Sequence, residues 1–87
     1  MRNLTYMETR TYVERVAAEV RASIARKGVS QSVVAEQSGM SNASLSRKLK
    51  GQYPFGVDEL LAIAPLLDTT ASSILAAAEA AEMAASA

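Results

Sequence analysis

The segment Ser30–Gly51, SQSVVAEQSGMSNASLSRKLKG, constrains the fold of this chain more than any other part. It contains two stretches of helical patterning, and each is preceded by a serine suited to cap a helix, Ser30 and Ser41. Gly39 lies between the two stretches and can adopt the left-handed backbone conformation that often follows a helix end. The sequence therefore predicts two short helices joined by a tight turn.

The second of these helices has one apolar face and one cationic face. Leu45 and Leu49 are four residues apart, which places both on the side that is expected to be buried. Arg47, Lys48 and Lys50 lie on the same helix, and no acidic residue accompanies them. Two short helices with a cationic second member are typical of a helix-turn-helix unit, which inserts its second helix into the major groove of DNA.

Helical patterns also flank this unit, so the fold class is predicted to be all-α. We expect five helices, at about residues 11–27, 31–38, 42–50, 57–67 and from 71 onward. The start of the first helix is ambiguous, because Thr11 with Glu14 and Thr5 with Glu8 both fit a capping box. The predicted buried residues of the fourth helix are Leu60, Leu61, Ile63, Ala64 and Leu67, and Pro65 should kink or shorten its last turn.

Eighty-seven residues are enough for one small domain with a modest core. We assign residues 1–10 to an arm or helix extension, 11–75 to the domain, and 76–87 to an alanine-rich helix end. Thr70 is the expected cap of the fifth helix, whose last turns should fray because alanine buries little area.

Composition removes several function classes. The chain contains neither cysteine nor histidine, so it lacks thiol chemistry and the commonest general base and metal ligand. The acidic residues are scattered singly, and we therefore expect no enzyme activity, no cofactor, no metal site and no small-molecule ligand. The longest apolar run, residues 60–67, is too short to span a bilayer, so no membrane association and a cytoplasmic location are expected.

A formal net charge of zero hides an uneven distribution. Residues 1–56 contain all nine lysines and arginines and four acidic residues, whereas residues 57–87 contain five acidic residues and no basic one. Such segregation favours one surface that faces an anionic partner, although chance clustering of solvated charges would look the same.

Individual residues of the unit are assigned by the chemistry of their side chains. Arg47 can bond guanine O6 and N7 together, Asn42 can pair with adenine, and Ala43 can contact a thymine methyl. The predicted base-reading residues are Asn42, Ala43, Ser44 and Arg47, and the predicted DNA-backbone residues are Gln31, Ser41, Lys48, Lys50 and Tyr53.

Structural alternatives remain open for several of these residues. The cationic face could be an ordinary solvated surface, and Tyr53 and Phe55 are better suited to pack the loop onto the core than to touch DNA. We expect Arg2, Arg10, Arg15 and Arg21 to be solvated, with Arg15 and Glu19 forming a pair one helical turn apart.

The segment described above, the following PF loop and the run VDELLAIAPLLDTTASSIL together resemble the lambda-repressor/Cro-like (XRE) helix-turn-helix family. The resemblance covers about residues 13–75. The matching positions are Gln31, Ala35, Gly39, Ser41, Leu45, Arg47, Gly51, Leu60, Ile63, Ala64 and Leu67. It implies a compact five-helix domain that binds DNA as a dimer, with helix three in the major groove and the start of helix two on the backbone. Pro65 and Asp68 depart from the family pattern, in a part that bears on helix packing and dimer geometry.

The expected function is that of a sequence-specific transcriptional repressor on double-stranded DNA. The resemblance implies a minimal phage Cro or immunity repressor in a bacterial host, acting as a homodimer that occludes polymerase on a pseudo-palindromic operator. The chain is too short to hold an effector domain as well, and the predicted dimer surface consists of Ile74, Leu75 and Ala78. The alternative is an antitoxin-like interaction module that binds a partner protein through its acidic tail and autoregulates its own operon.

Overall fold

The computed structural model describes residues 6–86, with side chains described over 9–85. Within this part, the chain forms five α-helices and no strand, which confirms the all-α prediction. The helices are α1 (Tyr6–Lys27), α2 (Gln31–Ser38), α3 (Asn42–Leu49), α4 (Val57–Ile63) and α5 (Ala71–Ser86). A 3₁₀ turn, Ala64–Leu67, follows α4 directly.

All five helices contribute to a single hydrophobic core. Helix α5 packs mainly on α1, while α2 and α3 pack on each other, α3 also packs on α1, and α2 also packs on α4. The buried cluster consists of Val20, Val34, Ala35, Leu45, Leu49, Leu60, Ile63, Ala64, Leu67 and Ile74. Val34 and Ala35 on α2, and Leu45 and Leu49 on α3, are the residues that the sequence predicted to face inward.

Helix α1 begins earlier than its predicted start near residue 11. The backbone is already helical at Tyr6, so Thr11 lies inside the helix and does not cap its first turn. The alternative start, a cap by Thr5 with Glu8, lies outside the residues whose side chains the structure describes.

The predicted pair between Arg15 and Glu19 is wrong. Arg15 Nε lies 3.2 Å from Glu82 Oε2 on α5, and Glu19 instead pairs with Arg26 at 3.1 Å. The packing of α5 against α1 brings a carboxylate within reach of Arg15. Tertiary contact therefore takes precedence over the local spacing on the helix.

Helix α4 is shortened as Pro65 predicted. The α-helix ends at Ile63 and the chain continues as a 3₁₀ turn, because proline has no N–H to donate to the carbonyl of Leu61. The turn ends at Asp68, which adopts a left-handed conformation with φ of 56° and pairs with Lys27 at 2.6 Å.

The prediction that Leu61 is buried is wrong: the side chain is 60% exposed, because Leu60 and Ile63 take the inward face of α4.

Helix α5 runs as far as Ser86, through the residues that were expected to fray. The Thr70 hydroxyl accepts a hydrogen bond from the Ser73 N–H at 3.0 Å, as predicted for a cap. Ile74 and Ala78 are only 1% and 2% exposed, because both point toward the core from α5. They cannot form a dimer surface, and of the three residues predicted for that role only Leu75 is exposed.

No single helix among the described residues is long and apolar enough to cross a membrane. Only a bent pair, the segment 57–67 with 71–85, meets the length and composition of a span, across an angle of 101°. Across the same described part of the chain, no group of three or more acidic, histidine or cysteine side chains could hold a metal ion.

Candidate nucleic-acid interface

The turn between α2 and α3 is held by backbone and side-chain hydrogen bonds. Gly39 adopts a φ of 77°, which is a left-handed conformation that glycine takes without steric cost. The N–H of Met40 then donates to the Ala35 carbonyl at 3.0 Å, which closes the end of α2. The turn sequence thus sets the direction in which α3 leaves α2.

Both helices of the unit are capped by the predicted serines. Ser30 Oγ accepts from the Val33 N–H at 3.1 Å, and Ser41 Oγ accepts from the Ser44 N–H at 3.1 Å. Each cap satisfies one of the N–H groups that a helix start leaves unpaired. The remaining amides at these helix starts carry the positive end of the helix dipole.

The rotation of α3 about its own axis is fixed by two leucines. Leu45 is fully buried and Leu49 is 6% exposed, so the face between them is turned into the core. The opposite face leaves Asn42, Ala43 and Arg47 exposed. Ser44 is half-buried beside the cap. Three of the four predicted base-reading residues therefore lie fully on the surface of one short helix.

Four of the five residues predicted to contact the DNA backbone are exposed. They are Gln31, Ser41, Lys50 and Tyr53, which lie at the start of α2, at the start of α3, at its end and in the following loop. Tyr53 is 57% exposed, so it does not pack the loop onto the core, whereas Phe55 does pack against it.

Lys48 has a different environment from the one predicted. Its side chain is only 19% exposed, and its ammonium group forms an ion pair with Glu59 on α4. The lysine is therefore engaged in joining α3 to α4 and is not oriented as a free phosphate contact. The prediction that it holds the DNA backbone does not fit this geometry.

Glu59 joins the start of α4 to α3 through its two carboxylate oxygens. Oε1 accepts a hydrogen bond from the Gly56 N–H at 2.7 Å at the start of α4, while Oε2 accepts from Lys48. Burial would raise the pKa of Glu59, but the hydrogen bonds from Lys48 and Gly56 and the charge of Lys48 outweigh it. The pKa of Glu59 is therefore held below its ordinary value of 4.5.

We expect Glu59→Gln to lower the free energy of unfolding by about 1–2 kcal/mol at pH 7, because the charged hydrogen bond to Lys48 is lost. The depressed pKa stabilises the folded state above about pH 4.5, and this contribution disappears as pH falls through the folded-state pKa. Urea denaturation at pH 7 and pH 3 measures both effects. Glu79→Gln, an exposed change on α5, is the matched control. A deficit that is equally large at both pH values would contradict this role.

Two arginines of α1 contact the end of α3 and the loop that follows it, which sequence reasoning missed. The Arg21 guanidinium donates to the Leu49 carbonyl, and Arg10 Nη1 donates to the Gln52 carbonyl at 3.3 Å. Helix ends leave carbonyls unpaired, so a partner for Leu49 was foreseeable. Which cation supplies it was not, because 28 residues separate Arg21 from Leu49.

Comparisons with known proteins place this geometry in context. A family model described as a helix-turn-helix domain matches residues 15–77. No curated protein matches the chain by sequence. Two crystal structures of the clp gene regulator ClgR from Corynebacterium glutamicum are similar to it. One is 27% identical, with a TM-score of 0.78, 86% of this chain covered and 82% of that chain. The other is 26% identical, with a TM-score of 0.73, 79% of this chain covered and 88% of that chain.

The family match spans most of the chain and includes the whole of α2, the turn at Gly39 and α3. It also includes the α1 arginine that contacts the end of α3, and the buried residues that fix the rotation of α3. The match therefore covers both capped helices and the left-handed turn that joins them. The chain belongs to the helix-turn-helix domain family.

Proposed function

We propose that this protein is a sequence-specific regulator of transcription that places α3 in the major groove of double-stranded DNA. The observation that carries the proposal is the outward face of α3, which exposes Asn42, Ala43 and Arg47 and has no acidic side chain. An α-helix fits the major groove, where donors and acceptors on the base edges differ for every base pair. The similarity to a gene regulator supports the same class of role.

Each exposed residue of α3 has a specific part in this proposal. Arg47 bonds a guanine through its planar fork, Asn42 pairs with an adenine, and Ala43 contacts a thymine methyl. Ser44 is half-buried, so only its hydroxyl edge is available to a base. These four residues remain the proposed base readers.

The DNA backbone is held by residues that surround the reading helix. Gln31 and Ser41 bring polar groups and helix N-termini to phosphates, and Lys50 and Tyr53 do the same after α3. Lys48 is not included among the proposed backbone contacts, because its ammonium group is paired with Glu59. Its replacement should therefore act on stability more than on the salt dependence of DNA binding.

The regulatory mechanism that we propose is repression by occlusion, in the manner of the Cro-like resemblance. Two copies of the protein bind a pseudo-palindromic operator, with half-sites about one helical turn apart, and exclude polymerase from the overlapping promoter. This mechanism requires no catalysis. Its strength depends on protein concentration, and hence on synthesis and turnover.

The dimer surface is revised by the burial of Ile74 and Ala78. We propose that Leu75 contributes together with Val57 and Leu61, which are 71% and 60% exposed on α4. Exposed aliphatic side chains of this size are the groups that a second copy would cover, since burying one contributes roughly 1.5–3 kcal/mol. A pseudo-palindromic operator calls for such a second copy.

We expect Leu61→Glu to shift the protein from dimer to monomer at micromolar concentration, because each interface would then bury two uncompensated carboxylates. Sedimentation equilibrium without DNA measures the change. Met83→Glu, another exposed apolar position at 68% exposure on α5, is the matched control and should remain dimeric. If the wild-type protein sedimented as a monomer, the proposed dimer surface would be rejected.

A selection from random duplex DNA with the purified protein tests the proposed function as a whole. The expected result is an enriched motif with two inverted half-sites about 10 bp apart, centre to centre. Enrichment of one unpaired half-site would retain base reading and reject the dimer. Failure to enrich any motif would reject sequence-specific binding.

A further inference from the structure

A cleft of about 300 Å³ lies between α1, the start of α2 and the end of α3. Its floor is apolar, formed by Ile24 and Leu49, and its rim carries two cations, Arg21 and Lys50. Gln31 and Ser46 complete the lining, which includes no acidic side chain. The cleft therefore combines positive charge, neutral hydrogen-bonding groups and a small apolar surface.

Arg21 is held in this cleft by the end of α3. Its guanidinium donates to the Leu49 carbonyl, which uses one of the five N–H donors of an arginine. This bond orients the guanidinium and also places a positive charge at the negative end of the α3 dipole. The carbonyl end of a helix would otherwise repel an anion. The positive charge of Arg21 offsets this repulsion, so that an anion can bind at this end of α3.

We propose that the cleft binds one phosphate group of the DNA backbone, with Arg21 and Lys50 as its cationic contacts and Gln31 as a neutral donor. The inference rests on the proposed function and extends it, because it assigns a DNA contact to α1, outside the helix-turn-helix unit. Ile24 and Leu49 then lie under the adjoining deoxyribose, whose carbon atoms suit an apolar floor.

The position of the cleft favours a backbone phosphate over a free phosphate ion. Lys50 follows Arg47 by one helical turn, so the cleft adjoins the face of α3 that is proposed to read bases. Gln31 adds the start of α2, which presents unpaired amides and a positive dipole end. One phosphate in the cleft would fix the distance between α3 and the DNA strand.

The first test is the salt dependence of binding to a duplex of random sequence, which does not require base reading. We expect Arg21→Gln to reduce the slope of log Kd against log salt concentration by up to about 0.9, the value for complete loss of one phosphate contact, since Lys50 stays at the same phosphate. Arg26→Gln is the matched control, because it removes an equal charge from α1 at a residue paired with Glu19. It should leave the slope unchanged.

Arg21→Lys separates the anion contact from the structural bond. A lysine retains the charge but lacks the fork that can bridge Leu49 and a phosphate, so the slope should be kept while affinity falls severalfold. Thermal unfolding of each variant measures how much the Arg21 side chain contributes to the stability of the fold. An Arg21→Gln protein that unfolds earlier but keeps the wild-type slope would reduce Arg21 to a structural residue and overturn the proposal.

A second test compares wild type with Arg21→Gln on modified DNA, and each protein's affinity for the unmodified operator is its own reference. Single neutral methylphosphonate linkages are placed along each strand of the selected operator. We expect one position at which wild type loses clearly more affinity than Arg21→Gln, whose Lys50 still faces the same phosphate; the absence of any such position would overturn the proposal. Saturation of the cleft by millimolar inorganic phosphate alone would also overturn it, in favour of a free phosphate ligand. A wild-type protein that binds no duplex at all would reject the proposed function itself, whereas binding with an unchanged variant slope rejects only this site.

Discussion

Replacing Arg47 with alanine should weaken binding to the selected operator by about 1–3 kcal/mol and relax the preference at one base pair. Arg47 is exposed on α3, and Leu45 and Leu49 fix the direction in which it projects. A guanidinium held in this way can bond two guanine acceptors at once, which no water molecule replaces with the same geometry. Competition binding against operators altered at each position measures both the affinity and the lost preference.

Arg47→Lys is the matched variant for this prediction. It keeps the charge and removes the planar fork, so binding to random DNA and its salt slope should persist while discrimination falls. If Arg47→Ala weakened binding equally to all DNA sequences, Arg47 would be assigned as a phosphate contact. Unchanged operator binding would show that α3 is not the reading helix.

Replacing Ile74 with alanine should lower the free energy of unfolding by about 2–5 kcal/mol, the range for removing a buried aliphatic side chain. Ile74 is 1% exposed and belongs to the core cluster, where the remaining side chains cannot fully close the cavity. For a domain of this size, that loss is a large fraction of the total stability.

Leu75→Ala provides the comparison, because Leu75 is the next residue on α5 and is 38% exposed. We expect it to cost less than about 1 kcal/mol in the monomer and to weaken self-association instead. Urea denaturation and sedimentation on both variants separate these effects. An Ile74→Ala protein that is fully stable but monomeric would restore the original assignment of Ile74 to the dimer surface.

The local features of the fold could be predicted from the sequence. Ser30, Gly39 and Ser41 determine the ends of α2 and α3 through groups within three or four residues of themselves, so their roles are visible in the primary structure. Pro65 likewise ends α4 by a local effect, the absence of its N–H.

The features that were missed depend on how helices meet. Leu60, Leu61 and Ile63 are all apolar, and only the docking of α4 decides that Leu61 faces outward. Arg15 had a local partner at the right spacing, yet it pairs with Glu82, 67 residues away. Spacing along one helix carries no information about such partners.

The candidate site shows the same division. The exposure of Arg47 and Lys50 follows from the period of α3, and the sequence was sufficient to predict it. Lys48 sits on the same helix with the same charge, but α4 lies close enough to pair it with Glu59. Arg21 was taken as solvated because its partner is a backbone carbonyl on another helix.

The shortness of α3 has a consequence for how this protein responds to heat. Eight residues form little more than two turns, which in isolation do not hold a helix in water. The proposed reading surface therefore exists only while Leu45 and Leu49 are docked, and it melts together with the core. Occupancy of DNA should fall over the same narrow temperature range as the folded population, so the molecule releases its site as a unit.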